Sequence, residues 1–142
     1  MSNEPVWVTA EHVVHFNKRA VEKTGEPHLA RDMGAIEAGI DRARNRFAYE
    51  GQTDLAVLAA HLIYGIGKAH GFEQGNKRTA WAAARYFLAL NGYTLEYDRD
   101  PNKVEAAKLH VAVAVEQLME DKISFDDVVN MITIRMVSIP KS

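Results

Sequence analysis

The residues best suited to chemistry lie in one run, HGFEQGNKRT, over residues 70–79. The run joins two apolar segments of helical spacing, and Gly75, Asn76, Lys77 and Arg78 come at the start of the second. The first N–H groups of a helix are unpaired, and the helix dipole adds about half a positive charge, so helix N-termini bind anions. Gly75 would let an anion approach the backbone, and the two cations would add charge beside it. The run predicts a phosphate-binding cradle, with Asn76 capping the helix and holding the loop.

The same residues also have structural interpretations. A lone histidine such as His70 is usually structural, an asparagine such as Asn76 is most often an N-cap, and adjacent cations are most often surface charge. The run is not a Walker P-loop, because only three residues separate Gly71 from Gly75, arginine follows Lys77, and no strand precedes it. The cradle hypothesis depends on the co-occurrence of these residue types between two apolar helices.

Thiol and metal chemistry have little support in the composition. The chain has no cysteine, which excludes disulfides, thiolate zinc sites, iron–sulfur clusters and thiol nucleophiles. His12 and His15 could share a metal ion, but no carboxylate or third histidine has matching spacing, which favours an ordinary helix face. Lysine plus arginine is 17 and aspartate plus glutamate is 19, a formal net charge of −2, so we expect no direct binding to nucleic acid.

Length and composition indicate one folded unit. With 142 residues, 47% hydrophobic and 25% charged, the chain is expected to form a single domain, 1–142. No window approaches the about 20 apolar residues that span a bilayer. The first residues, MSNEPVWVTAEHVV, contain no basic stretch followed by an apolar run. We therefore expect a cytoplasmic protein with no membrane partner.

Six helices are predicted to position the run. Apolar residues recur every three or four positions, which is typical of helices with one buried face. The predicted helices extend from Thr9 to about Gly25, from Asp32 through Phe47, from Asp54 toward His70, from about Asn76 to Asn91, from Asp100 and Pro101 through Leu118, and onward from Ser124. The third should be central, because it is apolar on nearly all sides.

Extended structure is expected to be minor. Only VWV near residue 7 and YTLEY at residues 93–97 look extended, so at most a small β-hairpin accompanies an all-α bundle. TGEPHLA, residues 24–30, is predicted to be a loop before the second helix. The last residues, SIPKS, are expected to fray.

The run at residues 70–79 resembles the Fic (filamentation induced by cAMP) motif, HxFx[DE]GN[GK]R. The matching residues are His70, Phe72, Gly75, Asn76, Lys77 and Arg78. The resemblance extends over roughly residues 7–98 and implies a compact helical bundle with a small flap. Within the superfamily the chain is most similar to the death-on-curing (Doc) branch, which comprises toxins of bacterial toxin–antitoxin pairs.

Two positions favour the Doc branch over members that transfer AMP. Those members usually have glycine where this chain has Lys77, and a second arginine where it has Trp81. The resemblance implies a kinase, in which the γ-phosphate of ATP goes to a hydroxyl of a protein target. Elongation factor Tu is the family target, and its modification inhibits translation. AMP transfer remains an alternative.

The resemblance also implies a role for each motif residue. His70 would be the general base that takes the proton of the target hydroxyl, and Phe72 would anchor the loop in the core. The phosphates would be held by Gly75, Asn76, Lys77 and Arg78.

Gln74 departs from the motif, which has aspartate or glutamate at this position to bind Mg²⁺. A glutamine offers only a neutral oxygen, so either metal binding is weakened or the neighbouring Glu73 replaces it through a shifted loop. The remaining alternative is a catalytically weak Fic-fold module that acts by binding a protein.

Regulation is expected to come from a separate antitoxin protein. Members of the family are commonly inhibited by a glutamate in an [ST]xxxE[GN] helix, which competes with the nucleotide. In this chain no serine or threonine has glutamate four residues later. We expect the inhibitory segment of the antitoxin to dock as a helix in a groove of the bundle. We also expect the loop at residues 24–30 to help bind the protein substrate, although it could equally be a plain connection.

Overall fold

Helices form where the apolar spacing predicts them. The computed structural model describes residues 4–140, and within that range it has six α-helices and two short strands. The helices are α1 (Ala10–Glu22), α2 (Met33–Glu50), α3 (Leu55–Ala69), α4 (Asn76–Leu90), α5 (Val104–Met119) and α6 (Phe125–Thr133). The expectation of an all-α bundle is confirmed for this part of the chain. Among the same residues, no helix is long and apolar enough to cross a membrane.

Short polar side chains begin most of the helices. Each accepts a hydrogen bond from a backbone N–H of the first turn, which would otherwise lack a partner. Thr9 and Ser124 are N-caps, as predicted. Asp32 and Asp54, at which helices were predicted to begin, cap α2 and α3. Asp100 instead caps a 3₁₀ turn, Pro101–Lys103, from which α5 continues.

The core is organised around α3, whose alanine, leucine and isoleucine side chains are buried. This confirms the prediction of a central helix. α3 crosses α2 so closely that a Cβ atom added at Gly39 would lie 2.6 Å from the carbonyl oxygen of Gly65. A larger residue would force the two backbones apart. The close crossing fixes the C-terminal end of α3, where residues 70–79 follow.

The two strands come from distant parts of the sequence. β1 (Tyr93–Leu95) pairs antiparallel with β2 (Met136–Ser138), with Tyr93 opposite Ser138. The expected small amount of strand structure is confirmed, but the pairing is long-range rather than a hairpin. Ile139 does not fray, because its N–H donates to the carbonyl oxygen of Gly92 at 2.8 Å. Residues 141–142 lie outside the described range.

The VWV segment near residue 7 does not join this sheet. It precedes α1 as an extended stretch without a strand partner. The Asn91 side chain, at the end of α4, accepts from the Val6 N–H at 2.9 Å and donates to the Val6 carbonyl oxygen at 2.8 Å. The side-chain amide of Asn91 therefore makes the two backbone hydrogen bonds that a neighbouring strand would otherwise make with Val6.

Candidate active site

His70 lies at the turn between α3 and the motif loop. Its backbone has φ 45° and ψ 42°, the left-handed conformation, and its N–H donates to the carbonyl oxygen of Gly67 at 3.4 Å. Such a conformation is uncommon for a residue with a Cβ atom and ends the helix at Ala69. The turn leaves the His70 side chain exposed to solvent, where it can meet a substrate group.

Phe72 and Asn76 hold the motif loop in its shape. Phe72 is only 1% exposed and belongs to the core, as an anchor requires. The Asn76 side chain accepts from the Phe72 N–H at 3.1 Å and donates to the Phe72 carbonyl oxygen at 2.9 Å. Asn76 therefore closes the loop on itself, and its amide group is engaged with backbone rather than directed outward.

The residues predicted to form the cradle lie at the first turn of α4. Its N-cap is Gly75, with φ 77° and no side-chain hydrogen bond to the helix. The prediction that Asn76 caps the helix is therefore wrong, because Asn76 is the first residue of α4 and its amide binds the Phe72 backbone instead. A Cβ atom at Gly75 would lie 3.1 Å from Val21 Cγ1 and 3.2 Å from Asn17 Nδ2. Both the backbone conformation and the available space therefore favour glycine. The helix begins without a side-chain cap, which leaves its first N–H groups for an external acceptor.

An open cleft of about 480 Å³ lies between this turn and α5. The volume is in the range of small-molecule sites. Besides the four cradle residues, it is lined by Gln74, Trp81, Tyr97, Lys108, Val111, Ala112, Val115 and Glu116. Lys77 Nζ lies 3.0 Å from Glu116 Oε1, and the Trp81 indole N–H donates to the Tyr97 hydroxyl at 3.1 Å. The lining of the cleft thus combines cations and the start of a helix with aromatic and apolar side chains.

Arg78 reaches back from α4 to the end of α1. Its Nη1 donates to the Ala20 carbonyl oxygen at 3.0 Å and to Thr24 Oγ1 at 3.3 Å, and its Nη2 lies 2.5 Å from Glu26 Oε1. The Thr24 hydroxyl also donates to the Glu26 carboxylate. These two hydrogen bonds lower the pKa of Glu26 below its ordinary value. The predicted phosphate-binding arginine is therefore already paired with a carboxylate.

Asn17 is the residue that sequence reasoning missed. It is fully buried on α1, and its Nδ2 donates to the Gln74 carbonyl oxygen at 2.7 Å and to Thr79 Oγ1 at 3.1 Å. Its Oδ1 accepts from His28 Nδ1 at 2.8 Å. A polar residue between Val13 and Val21, at helical spacing within an apolar stripe, was the available signal.

Residues 24–32, called the strap below, run alongside the motif loop. Ala30 forms an antiparallel bridge with Phe72, and the Glu73 N–H donates to the Leu29 carbonyl oxygen at 3.1 Å. The His28 ring stacks on the Phe72 ring at 6.2 Å between centroids. The loop predicted at residues 24–30 is thus attached to the motif by both backbone and side chains.

The amino-acid sequence of this chain is similar to those of known proteins. A family model described as the Fic/DOC family matches residues 7–88. The chain belongs to the Fic/DOC family. A protein named "Toxin Doc" from Mycolicibacterium smegmatis is 36% identical over 83 residues, 58% of this chain and 64% of that protein. "Protein kinase doc" from Escherichia phage P1 is 33% identical over 85 residues, 60% of this chain and 68% of that protein. The match thus spans less than two thirds of the first relative.

The acidic position of the Fic motif differs in this member. Gln74 lines the cleft, whereas Glu73 is exposed and is not among the cleft residues. The cleft carboxylate within residues 4–140 is Glu116, which is paired with Lys77. No group of three or more potential metal ligands occurs in the described part of the chain, and His12 Nδ1 accepts from the Thr9 N–H instead.

We expect Asn17→Asp to loosen the motif loop. The substitution keeps the size of the side chain but places an acceptor oxygen 2.7 Å from the Gln74 carbonyl oxygen, where Nδ2 now donates. The free energy of unfolding, measured by urea denaturation, should fall by about 1–3 kcal/mol. The backbone amides of residues 74–79 should exchange hydrogen faster.

Asn45→Asp, on the exposed face of α2, makes the same chemical change without a buried partner. It should alter the free energy of unfolding by less than about 0.5 kcal/mol. Equal stability of the two variants would show that Asn17 does not hold the loop.

Proposed function

We propose that this chain is a Doc-like toxin that transfers the γ-phosphate of ATP to a hydroxyl group of a cytoplasmic protein. The observation that carries the proposal is the first turn of α4, which has no side-chain cap and lines a cleft of the size of a small-molecule site. The exposed His70 precedes this turn by the five residues of the motif loop and is not among the residues that line the cleft. The names of the two relatives, a toxin and a protein kinase, support the same reaction class. Elongation factor Tu is the proposed target, and the consequence is inhibition of translation.

The chemistry requires a base, a phosphate site and an aligned hydroxyl group. His70 accepts the proton of the target hydroxyl as its oxygen forms a bond to the γ-phosphorus. The bond from that phosphorus to the β,γ-bridging oxygen breaks, and ADP leaves. The N–H groups at Gly75 and beyond, together with Lys77 and Arg78, stabilise the negative charge on the phosphates.

Among residues 4–140, the side chains that line the cleft include no unpaired carboxylate for Mg²⁺. Gln74 contributes no charge, and Glu116 is paired with Lys77 at 3.0 Å. Mg²⁺ commonly binds through one or two carboxylates together with substrate phosphates and water. In this chain the phosphates themselves would have to supply the charged ligands.

A catalytically weak protein-binding module is the second candidate. It is favoured by the neutral Gln74 and by the ion pairs that already occupy both cradle cations, Lys77 with Glu116 and Arg78 with Glu26. AMP transfer has less support, because Trp81 stands where AMP-transferring members have arginine.

An antitoxin partner follows from the toxin proposal. Its inhibitory segment would dock as a helix in a groove of the bundle. The strap would help bind the protein substrate, because its backbone lies beside the motif loop along the Ala30–Phe72 bridge.

We expect His70→Ala to lower phosphate transfer by about 100-fold or more, because it removes the general base. The assay is incubation with Mg²⁺, ATP labelled at the γ- or α-phosphate, and cell extract, followed by mass measurement of the modified protein. His110→Ala, an exposed histidine of α5, should keep full activity. Transfer of the α-label would show that the protein is an AMP transferase and not a kinase. Transfer of neither label would favour the protein-binding module.

We expect Gln74→Asp to increase transfer and to lower the Mg²⁺ concentration required for half-maximal ATP binding. A charged ligand beside the phosphates could raise the rate by about 10- to 100-fold. Glu73→Ala is the control, since Glu73 is outside the cleft and its N–H is bound to Leu29. An effect of Glu73→Ala with none of Gln74→Asp would mean that Glu73 is the metal ligand. Absence of any Mg²⁺ effect in the parent and both variants would exclude metal assistance.

A further inference from the structure

The His28 side chain connects the strap to the buried amide of Asn17. Its Nδ1 lies 2.8 Å from Asn17 Oδ1, and its ring stacks on the Phe72 ring with the centroids 6.2 Å apart. His28 is otherwise exposed to solvent. The imidazole therefore makes two separable contacts with the site, a hydrogen bond to α1 and a ring contact with the motif loop.

The partners of the Asn17 amide fix its orientation. Nδ2 lies 2.7 Å from the carbonyl oxygen of Gln74, which can only accept a hydrogen bond. The opposite orientation of the amide would place Oδ1 against that oxygen, so that two acceptors would be in contact. Oδ1 therefore faces the imidazole, and the His28 Nδ1 carries the proton that it donates.

The same amide packs against the start of α4. A Cβ atom on Gly75 would lie only 3.2 Å from Asn17 Nδ2. That nitrogen also donates to Thr79 Oγ1 at 3.1 Å, one turn into the helix. A rotation of the amide would break its bonds to Gln74 and Thr79, and the backbone at Gly75 would have to move. The direction of the first N–H groups of α4 thus depends on the orientation of this amide.

We propose that His28 is a positioning residue for the phosphate site. Its Nδ1–H holds the Asn17 amide in one orientation, and the amide holds the motif loop and the first turn of α4 in the geometry that binds phosphates. His28 acts through Asn17 and takes no part in the proton transfer. The proposal rests on the proposed function, because it takes the ligand of this turn to be the phosphates of ATP.

The strap backbone next to His28 is already fixed to the motif loop. The Glu73 N–H donates to the Leu29 carbonyl oxygen at 3.1 Å, and the Arg31 N–H donates to the Gly71 carbonyl oxygen at 2.6 Å. A side chain on an ordered backbone loses less conformational freedom when it forms a hydrogen bond. The bond from the imidazole to the buried amide therefore forms at a small cost in entropy.

Two substitutions separate the hydrogen bond from the ring contact. His28→Phe keeps a ring that can stack on Phe72 but removes the donor, whereas His28→Asn keeps an amide donor near the position of Nδ1 but removes the ring. The control is His110→Phe, at an exposed histidine of α5 that does not line the cleft. Hydrogen exchange of the backbone amides of residues 74–79 is measured first, without nucleotide, and is followed by calorimetric titration with ATP and Mg²⁺.

We expect His28→Phe to accelerate the exchange of these amides and to weaken ATP binding, each by about fivefold, which corresponds to the loss of one hydrogen bond. His28→Asn should stay within about twofold of the parent in both measurements, and so should His110→Phe. Rescue by asparagine is the result that a merely structural role of the ring would not produce, because the ring contact is lost in that variant.

Three results would overturn the positioning role. One is a His28→Phe variant that behaves like the parent in both measurements. Another is a loss in His28→Asn with none in His28→Phe, which would assign the effect to the ring contact. The third is an equal loss in both variants, which would mean that any substitution of His28 weakens the strap.

The γ-label assay separates this result from the proposed function. If His28→Phe and His28→Asn differ as expected but the parent transfers no phosphate, the phosphotransferase proposal fails and the positioning role stands. If the parent transfers phosphate while the two variants are equal in exchange and affinity, the positioning role fails and the phosphotransferase stands. The exchange measurement needs no ligand, so it decides the positioning of the loop even if the parent binds no ATP.

Discussion

The Asn17 side chain is the interaction on which the candidate site depends. One buried amide joins four parts of the chain: α1, the motif loop at Gln74, the first turn of α4 at Thr79, and the strap at His28. A buried amide without partners would be strongly unfavourable, so the fold depends on these hydrogen bonds being made. They fix the position of the loop relative to α1, and with it the direction of the first N–H groups of α4.

The positive charge that this arrangement concentrates at the start of α4 is compensated by two carboxylates of the chain. A helix N-terminus and two adjacent cations, Lys77 and Arg78, concentrate positive charge in one place. Glu116 of α5 and Glu26 of the strap pair with those cations. Both cations of the candidate site are therefore paired within the chain.

The residues of the candidate site and the helices beside it could be predicted from the sequence, but most of the contacts that hold these residues in place could not. The helices on either side of residues 70–79 follow from apolar spacing, and Asp32 and Asp54 mark the starts of α2 and α3. The pairing of β1 with β2 could not be predicted, because three-residue strands have almost no periodic signal and their partner is distant in sequence. The contact of Glu26 with Arg78 depends on the conformation of the strap, for which local residue preferences give no unique answer.

The most direct test of the account is a titration of ¹⁵N-labelled protein with ATP and Mg²⁺, followed through the backbone amide resonances. The central claim is that the first turn of α4 binds the phosphates through its N–H groups. The largest chemical-shift changes are expected at residues 74–79. Saturable binding with changes confined to other parts of the chain, leaving residues 74–79 unaffected, would contradict it.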